Sequence, residues 1–299
     1  MNNISTLFSI KDLENLSGIK AHTIRIWEKR YGLLKPERTE SNIRYYDLEN
    51  LKKLLNISIL NSQGQKISRI ASYSSEELDA KVREHTSRSD DQEHFINSLK
   101  VSMLNYDRNL FEHTYNSLIA ESSFREVFVN VLVPFLQNIG LEWQSNSITP
   151  AHEHFITNLV KQKLLINIER VQQVLPKDPS EVYVLYLPIN EIHEFGLLFI
   201  HYELLLKGKY SVFLGQSVPT ENLKSLQKTF KKIRFISYFT VKPDPDDVME
   251  YLEEVNKKIL SQRNEQLIVL GRRTQNLNLP KHLNKITIYD DIMKLTASF

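Results

Sequence analysis

Residues 8–46 read FSIKDLENLSGIKAHTIRIWEKRYGLLKPERTESNIRYY, and their pattern decides the fold of the N-terminal part. Ile10, Leu13 and Leu16 recur at helical spacing until Gly18 breaks the run. The segment from Ala21 to Gly32 restarts a helix with Ile24 and Trp27 on its inner face. A short helix, a turn containing glycine and a second short helix form a helix-turn-helix. Pro36 and a polar stretch then lead into Ile43–Tyr46, which predicts a small β-hairpin or wing. Asp47 can cap a further helix carrying Leu48, Leu51, Leu54, Leu55 and Leu60, and after Gly64 another short helix runs from Ile67 to Tyr73.

The charge agrees with this reading. Residues 1–75 carry 12 Lys and Arg against 7 Asp and Glu, whereas the whole chain is only +2, so the body behind the module is slightly acidic. In such a unit the second helix enters the major groove of double-stranded DNA with its early side chains towards the bases. Here those are Lys20, His22, Thr23 and Arg25, with Lys29 and Arg30 beyond. Arg38, Arg44, Tyr45 and Tyr46 of the wing are candidates for phosphate contacts. Trp27 reads as a core residue. With no cysteine in the chain, disulfides, thiolate metal sites and cysteine nucleophiles are excluded. No apolar run is long enough to cross a bilayer and the N-terminus lacks the apolar core of a signal peptide, so a cytoplasmic location with no membrane partner is expected.

Beyond this module lie two more parts, as 299 residues allow. Residues 74–93 are charged and Ser-rich and read as a hinge. Four amphipathic helical segments follow, near 94–104, 107–121, 123–143 and 150–174, with Pro134 kinking the third. After Pro176 and Pro179 five β-rich runs (181–188, 210–215, 234–240, 266–271 and 285–290) alternate with helical stretches at 193–207, 220–231 and 244–260. That alternation predicts a doubly wound parallel sheet of order 2-1-3-4-5. The expected fold class is thus multidomain α and α/β: a winged helix-turn-helix at 1–75, a linker at 76–93, a four-helix bundle at 94–176 and a Rossmann-like, flavodoxin-type five-stranded parallel sheet at 177–299.

Asn190-Glu191-Ile192-His193-Glu194-Phe195-Gly196 falls just after the first strand of that sheet, where ligands of open α/β sheets bind. An imidazole there can ligate a metal through one nitrogen while a carboxylate two residues back holds the other N–H. Gly196 would let a bulky ligand approach the backbone.

Residues 9–54 resemble the DNA-binding domain of the MerR family: Gly18-Ile19, Thr23 to Pro36, Arg38 and Arg44-Tyr45-Tyr46 all match its pattern. The resemblance implies a homodimer, or a higher oligomer such as a tetramer, on a pseudo-palindromic operator. Glu191-x-His193-x-x-Gly196, with Ser237 further on, resembles the cobalamin-binding motif of Rossmann-like corrinoid domains. Trp143, nine residues and then Glu153-His154 are similar to the motif of cobalamin-binding helical caps. Together they resemble the adenosylcobalamin-dependent, light-responsive repressors of carotenoid synthesis. The resemblance implies His193 as the lower axial ligand of cobalt, Glu191 as its orienting partner and Ser237 on the nucleotide tail. Trp143, Glu153 and His154 would cover the adenosyl group. The chain departs from the pattern at Gly271-Arg272, where the family has Gly-Gly beside the tail, at Gln144, where light-sensing relatives often have His, and at Asn146, where Gly is common.

Two other functions compete with a cofactor-controlled regulator. A corrinoid enzyme or carrier would need a substrate module, and the extra module here reads DNA. A regulator whose sensor domain has lost the cofactor and serves oligomerisation or partner binding is favoured by the Gly271-Arg272 change.

Overall fold

The computed structural model describes residues 7–39, 42–62, 64–85, 92–144, 148–173, 178–260 and 265–299. The chain divides into two compact units, Met1–Val160 and Lys161–Phe299.

In the first unit a two-residue strand β1 (Phe8–Ser9) runs into helix α1 (Ile10–Ser17). Ser9 and Asp12 cap that helix reciprocally, each side chain accepting from the other's backbone N–H. Gly18 closes it at φ 72, a conformation glycine takes without steric cost. Helix α2 (Ala21–Tyr31) follows and ends on Gly32 in the same way. Strands β2 (Glu37–Arg38) and β3 (Arg44–Tyr46) form the wing, and β3 also pairs with β1, giving a three-stranded antiparallel sheet.

Helix α3 (Leu48–Ser62) buries seven successive residues, Leu54 to Leu60, so it is packed on every face. One side closes the helix-turn-helix core. The other meets α6 (Gln92–Asn105), the first helix of the bundle. The stretch read as a hinge is not one throughout. Ser75–His85 forms helix α5 behind the short α4 (Ile67–Ile70), and α5 packs on α3 through the buried Leu78 and Val82. Leu78 and Val82, four apart, carry a helix face that the surrounding charges hide in composition. The bundle continues with α7 (Arg108–Glu121), α8 (Phe124–Val127), α9 (Val133–Gln144) and α10 (Pro150–Val171). Pro134 leaves its mark as a π-turn at Phe128–Leu132, where the N–H of Val133 reaches back five residues to Phe128. The ring's missing N–H is accommodated by this wider winding.

The unit boundary at Val160/Lys161 falls inside α10 and differs from the sequence divisions at 93 and 176. The packing of α3 against α6 removes a seam near residue 93.

In the second unit strands β4 (Asp178–Tyr186), β5 (Lys209–Gly215), β6 (Ile233–Tyr238), β7 (Glu265–Leu270) and β8 (Ile286–Ile288) form a parallel sheet in the order β5-β4-β6-β7-β8. This is the expected 2-1-3-4-5 order. Along β4 the alternation is complete: Val182, Val184 and Tyr186 join the core under α12 (Val248–Lys258). Tyr183, Leu185 and Leu187 join that under α11 (Phe195–Leu206) and α13 (Ile292–Ala297). The stretch at 220–231, expected as an α-helix, is a 3₁₀ segment at Thr220–Lys228 with only Leu223 as a buried apolar anchor.

Candidate functional site

On α2 the side chains of His22, Arg25, Ile26, Lys29 and Arg30 are all exposed and recur at helical spacing, so they form one outward stripe opposite the buried Ile24. Thr23 and Trp27 are half-buried flanks. Lys20 is exposed and paired with Glu14 at 3.3 Å. Arg30 lies 5.3 Å over the Tyr31 ring. In the wing Arg38 is exposed and donates to Asn42 Oδ1 at 2.6 Å, and the Tyr45 hydroxyl donates to Glu37 at 2.6 Å.

Two wing residues have a different place from the one expected. Tyr46 is fully buried and its hydroxyl donates to Glu28 Oε2 at 3.0 Å, so it belongs to the core and not to a phosphate-contacting surface. Burial, then that bond, push the phenol pKa up. Arg44 is half-buried and donates from Nε to the other oxygen of Glu28 at 3.1 Å. Glu28 therefore fastens the groove-facing helix to the wing, a role the sequence reading missed. Its charge on an otherwise basic helix was the available signal. Ile26 and Ile43 were also missed. Both are exposed apolar residues, on α2 and beside the wing strand, and helical spacing from Ile24 and Trp27 already turns Ile26 outward.

At the other end of the chain, the order β5-β4-β6 creates a switch point where the loops after β4 and β6 meet. Glu191 sits between them with its side chain buried. Oε1 accepts from the N–H of Ile192 (2.8 Å) and of His193 (2.9 Å) and lies 2.6 Å from His193 Nδ1. Oε2 accepts from the N–H of Thr240, Val241 and Lys242 at 3.1, 2.6 and 2.8 Å. Burial would raise this carboxyl's pKa, but the N–H groups of His193, Lys242 and Val241, with the His193 ring, outweigh it and hold it at about 2. An ionised carboxylate at Nδ1 requires that nitrogen to carry its proton, so Nε2 of the neutral ring has its lone pair available. The His193 side chain is 50% exposed. Beside it Glu194 pairs with Lys161 of α10.

The loops after β4 and β6 carry both polar and apolar side chains: Ile189 lines a cavity with Glu221, Lys242, Asp244, Asp247 and Glu254. Ile189 and Ile192 after β4, Leu214 at the end of β5 and Val241 after β6 are among the few large hydrophobic side chains left exposed. An imidazole whose Nδ1 is held by a buried carboxylate, with half of its side chain exposed, fits a single nitrogen donor to a metal carried by a macrocycle. The other expected contacts are differently disposed. Ser237 is buried and its hydroxyl donates to the Tyr186 carbonyl at 2.8 Å. Gly196 lies against the Tyr238 ring, and Gly271, at φ 112, lets its backbone approach that of Phe239. Arg272 follows it, exposed.

Among the cap residues, Glu153 and His154 stand in the first turns of α10, 3.3 Å apart, with His154 73% exposed. Neighbouring His152 is the buried one. Its ring stacks on Tyr106 at 4.8 Å and its Nδ1 is 2.9 Å from the Thr149 hydroxyl. Trp143 and Gln144 end α9, and their side chains, like Asn146, lie outside the described residues.

Residues 8–77 match the family described as MerR HTH family regulatory protein, and residues 96–166 match the B12 binding domain. The chain is 29% identical over 222 residues to the HTH-type transcriptional repressor CarH of Myxococcus xanthus, covering 72% of this chain and 73% of that protein. It is 26% identical over 219 residues to CarA of the same organism, covering 72% and 70%. Among solved structures, the monomethylamine corrinoid protein of Methanosarcina barkeri shares the fold, with a TM-score of 0.55 over 70% of this chain and 98% of that one at 12% identity. The family and relative matches support a DNA-binding transcriptional regulator. Specifically, its residues 8–77 are similar to the MerR helix-turn-helix family and residues 96–166 to the B12 binding domain.

Proposed function

We propose that this regulator is a repressor controlled by adenosylcobalamin, held through His193 and reported to the DNA by a change of assembly. The observation that carries the reading is the Glu191–His193 pair: a buried carboxylate holds Nδ1 of the ring and leaves Nε2 available on a half-exposed side chain. Among the described residues no three His, Cys, Asp or Glu side chains are grouped to hold a bare ion. A single imidazole instead suits a metal that brings its own equatorial donors, as the cobalt of a corrin does. When bound, the cofactor supplies an axial coordination site on cobalt and a light-labile cobalt–carbon bond. In this reading Glu153 and His154 of α10, with Trp143 of α9, cover the adenosyl group.

The output is DNA occupancy. His22, Arg25, Lys29 and Arg30 of α2 face the groove, Lys20 and Thr23 flank them, and Arg38 and Tyr45 reach phosphates from the wing. Arg44 acts mainly through Glu28. A homodimer reads two half-sites and a tetramer presents more heads at once, raising affinity by multivalency. The relatives named as repressors support repression over activation.

The test is a mobility shift with duplexes enriched from a random-sequence pool by the chain itself, with and without adenosylcobalamin in the dark and again after illumination. The reading predicts tighter binding and a larger complex with cofactor in the dark, reversed by light. Equal affinity and size under all three conditions would favour the alternative of a sensor fold that has lost its cofactor and serves assembly alone, which the non-glycine Arg272 supports.

A further inference from the structure

The resemblance assigns Ser237 and the Gly271-Arg272 position to the nucleotide tail of a cobalamin, and Gly196 is where a bulky ligand would approach the backbone; each is occupied from within the chain. A Cβ built on Gly196, in the first turn of α11, would lie 2.8 Å from Tyr238 Cε2, so the tyrosine ring rests directly on the helix backbone. Tyr238 is also packed against the core of Leu197, Ile200, Leu270 and Leu295. Ser237 is fully buried, with its hydroxyl spent on the Tyr186 carbonyl. At Gly271 an added Cβ would come within 2.4 Å of the Phe239 carbonyl oxygen, so that glycine serves a backbone approach and leaves no slot. Inserting a heterocyclic base between α11 and the sheet would require expelling the Tyr238 ring from a close-packed core.

We propose that Tyr238 is a specificity-determining residue that closes the tail slot, so that this chain accepts a corrinoid whose tail is missing or stays outside the sheet. The inference rests on the corrinoid reading above. His193 keeps its part: its outward Nε2 meets the lower face of a corrinoid with no base of its own, whereas a tail base already on cobalt competes with it. The ring's bulk does the selecting, since the contacts of Tyr238 are with the Gly196 backbone and apolar side chains.

Competition binding on the full chain tests this, using adenosylcobalamin and the tail-less corrinoid dicyanocobinamide as probes and the corrinoid absorption retained after gel filtration as readout. Wild-type chain is expected to bind dicyanocobinamide at least as tightly as cobalamin. Tyr238→Ala is expected to shift the preference towards cobalamin by about tenfold or more, roughly 1.4 kcal/mol. Tyr238→Phe, which keeps the ring, should behave as wild type, so a folding defect in the alanine variant leaves two informative chains. A wild-type preference for cobalamin of about tenfold overturns the inference while leaving the corrinoid reading intact. Retention of neither corrinoid by wild type or Tyr238→Phe overturns both.

Discussion

His193 Nδ1 lies 2.6 Å from Glu191 Oε1, and the opposite oxygen of the same carboxylate takes three consecutive backbone N–H groups from Thr240 to Lys242. One side chain thus orients the candidate ligand and ties together the loops after the first and third strands of the sheet. Structure and function are coupled at Glu191.

Replacing it separates the two. With its pKa held at about 2 against an ordinary 4.5, Glu191 stabilises the fold above about pH 4.5 and loses that contribution as pH falls towards 2. Glu191→Gln turns an N–H donor towards other donors, and a loss of about 3 kcal/mol at neutral pH is expected in denaturant unfolding. A loss under about 0.5 kcal/mol would mean that the loops are held by other contacts.

His201 gives a second pH response of distinct origin. Burial pushes its pKa down to about 4, with Nδ1 2.8 Å from the Ser211 hydroxyl. The folded state therefore prefers the neutral ring. The stabilisation is complete above the unfolded value of about 6.5 and is lost as pH falls to about 4, amounting to about 2 kcal/mol between pH 7 and 5. His201→Asn should flatten that part of the stability–pH curve. An unchanged slope would refute the assignment.

The DNA head is expected to divide into residues that touch DNA and residues that hold it in shape. Arg25→Ala should weaken operator binding and reduce the slope of log affinity against log salt by about 1. Tyr46→Phe should leave that slope alone and cost about 1 kcal/mol of stability, through the lost bond to Glu28. A Tyr46→Phe chain with normal stability and a reduced salt slope would return Tyr46 to the interface.

Lys100 connects bundle and head. It is buried on α6 and donates to the carbonyl of Leu16 at 2.9 Å, at the end of α1 where the helix dipole favours a cation. Lys100→Met keeps the stem and removes the donor, and a loss of about 1–3 kcal/mol is expected in chemical denaturation. Unaltered stability would show that the carbonyl finds water instead.

Much of this was legible in the sequence because it depends on local rules. The helix ends at Gly18 and Gly32, the wing after Pro36 and the strand order of the sheet follow from spacing and punctuation. The Glu191-x-His193 pair follows from its place after a strand. What was hidden depends on packing at a distance. Helix α3 is buried on every face from Leu54 to Leu60 and packs on both α1 and α6, and nothing along the chain marks which of these residues serve the head and which the bundle. Tyr46 and Tyr45 look alike in sequence, and only the alternation of β3 against the core separates the buried ring from the accessible one. Tyr238 follows Ser237 without any local sign that its ring would lie on Gly196, 42 residues earlier.

The most direct test of the central claim is the visible spectrum of the chain reconstituted with adenosylcobalamin in the dark and passed through gel filtration, wild type beside His193→Ala. The proposed function predicts a coloured wild-type protein, with the corrinoid absorption bands shifted from those of the free cofactor, and a colourless or unshifted variant. A colourless wild type, or identical shifted spectra for the two chains, would contradict it.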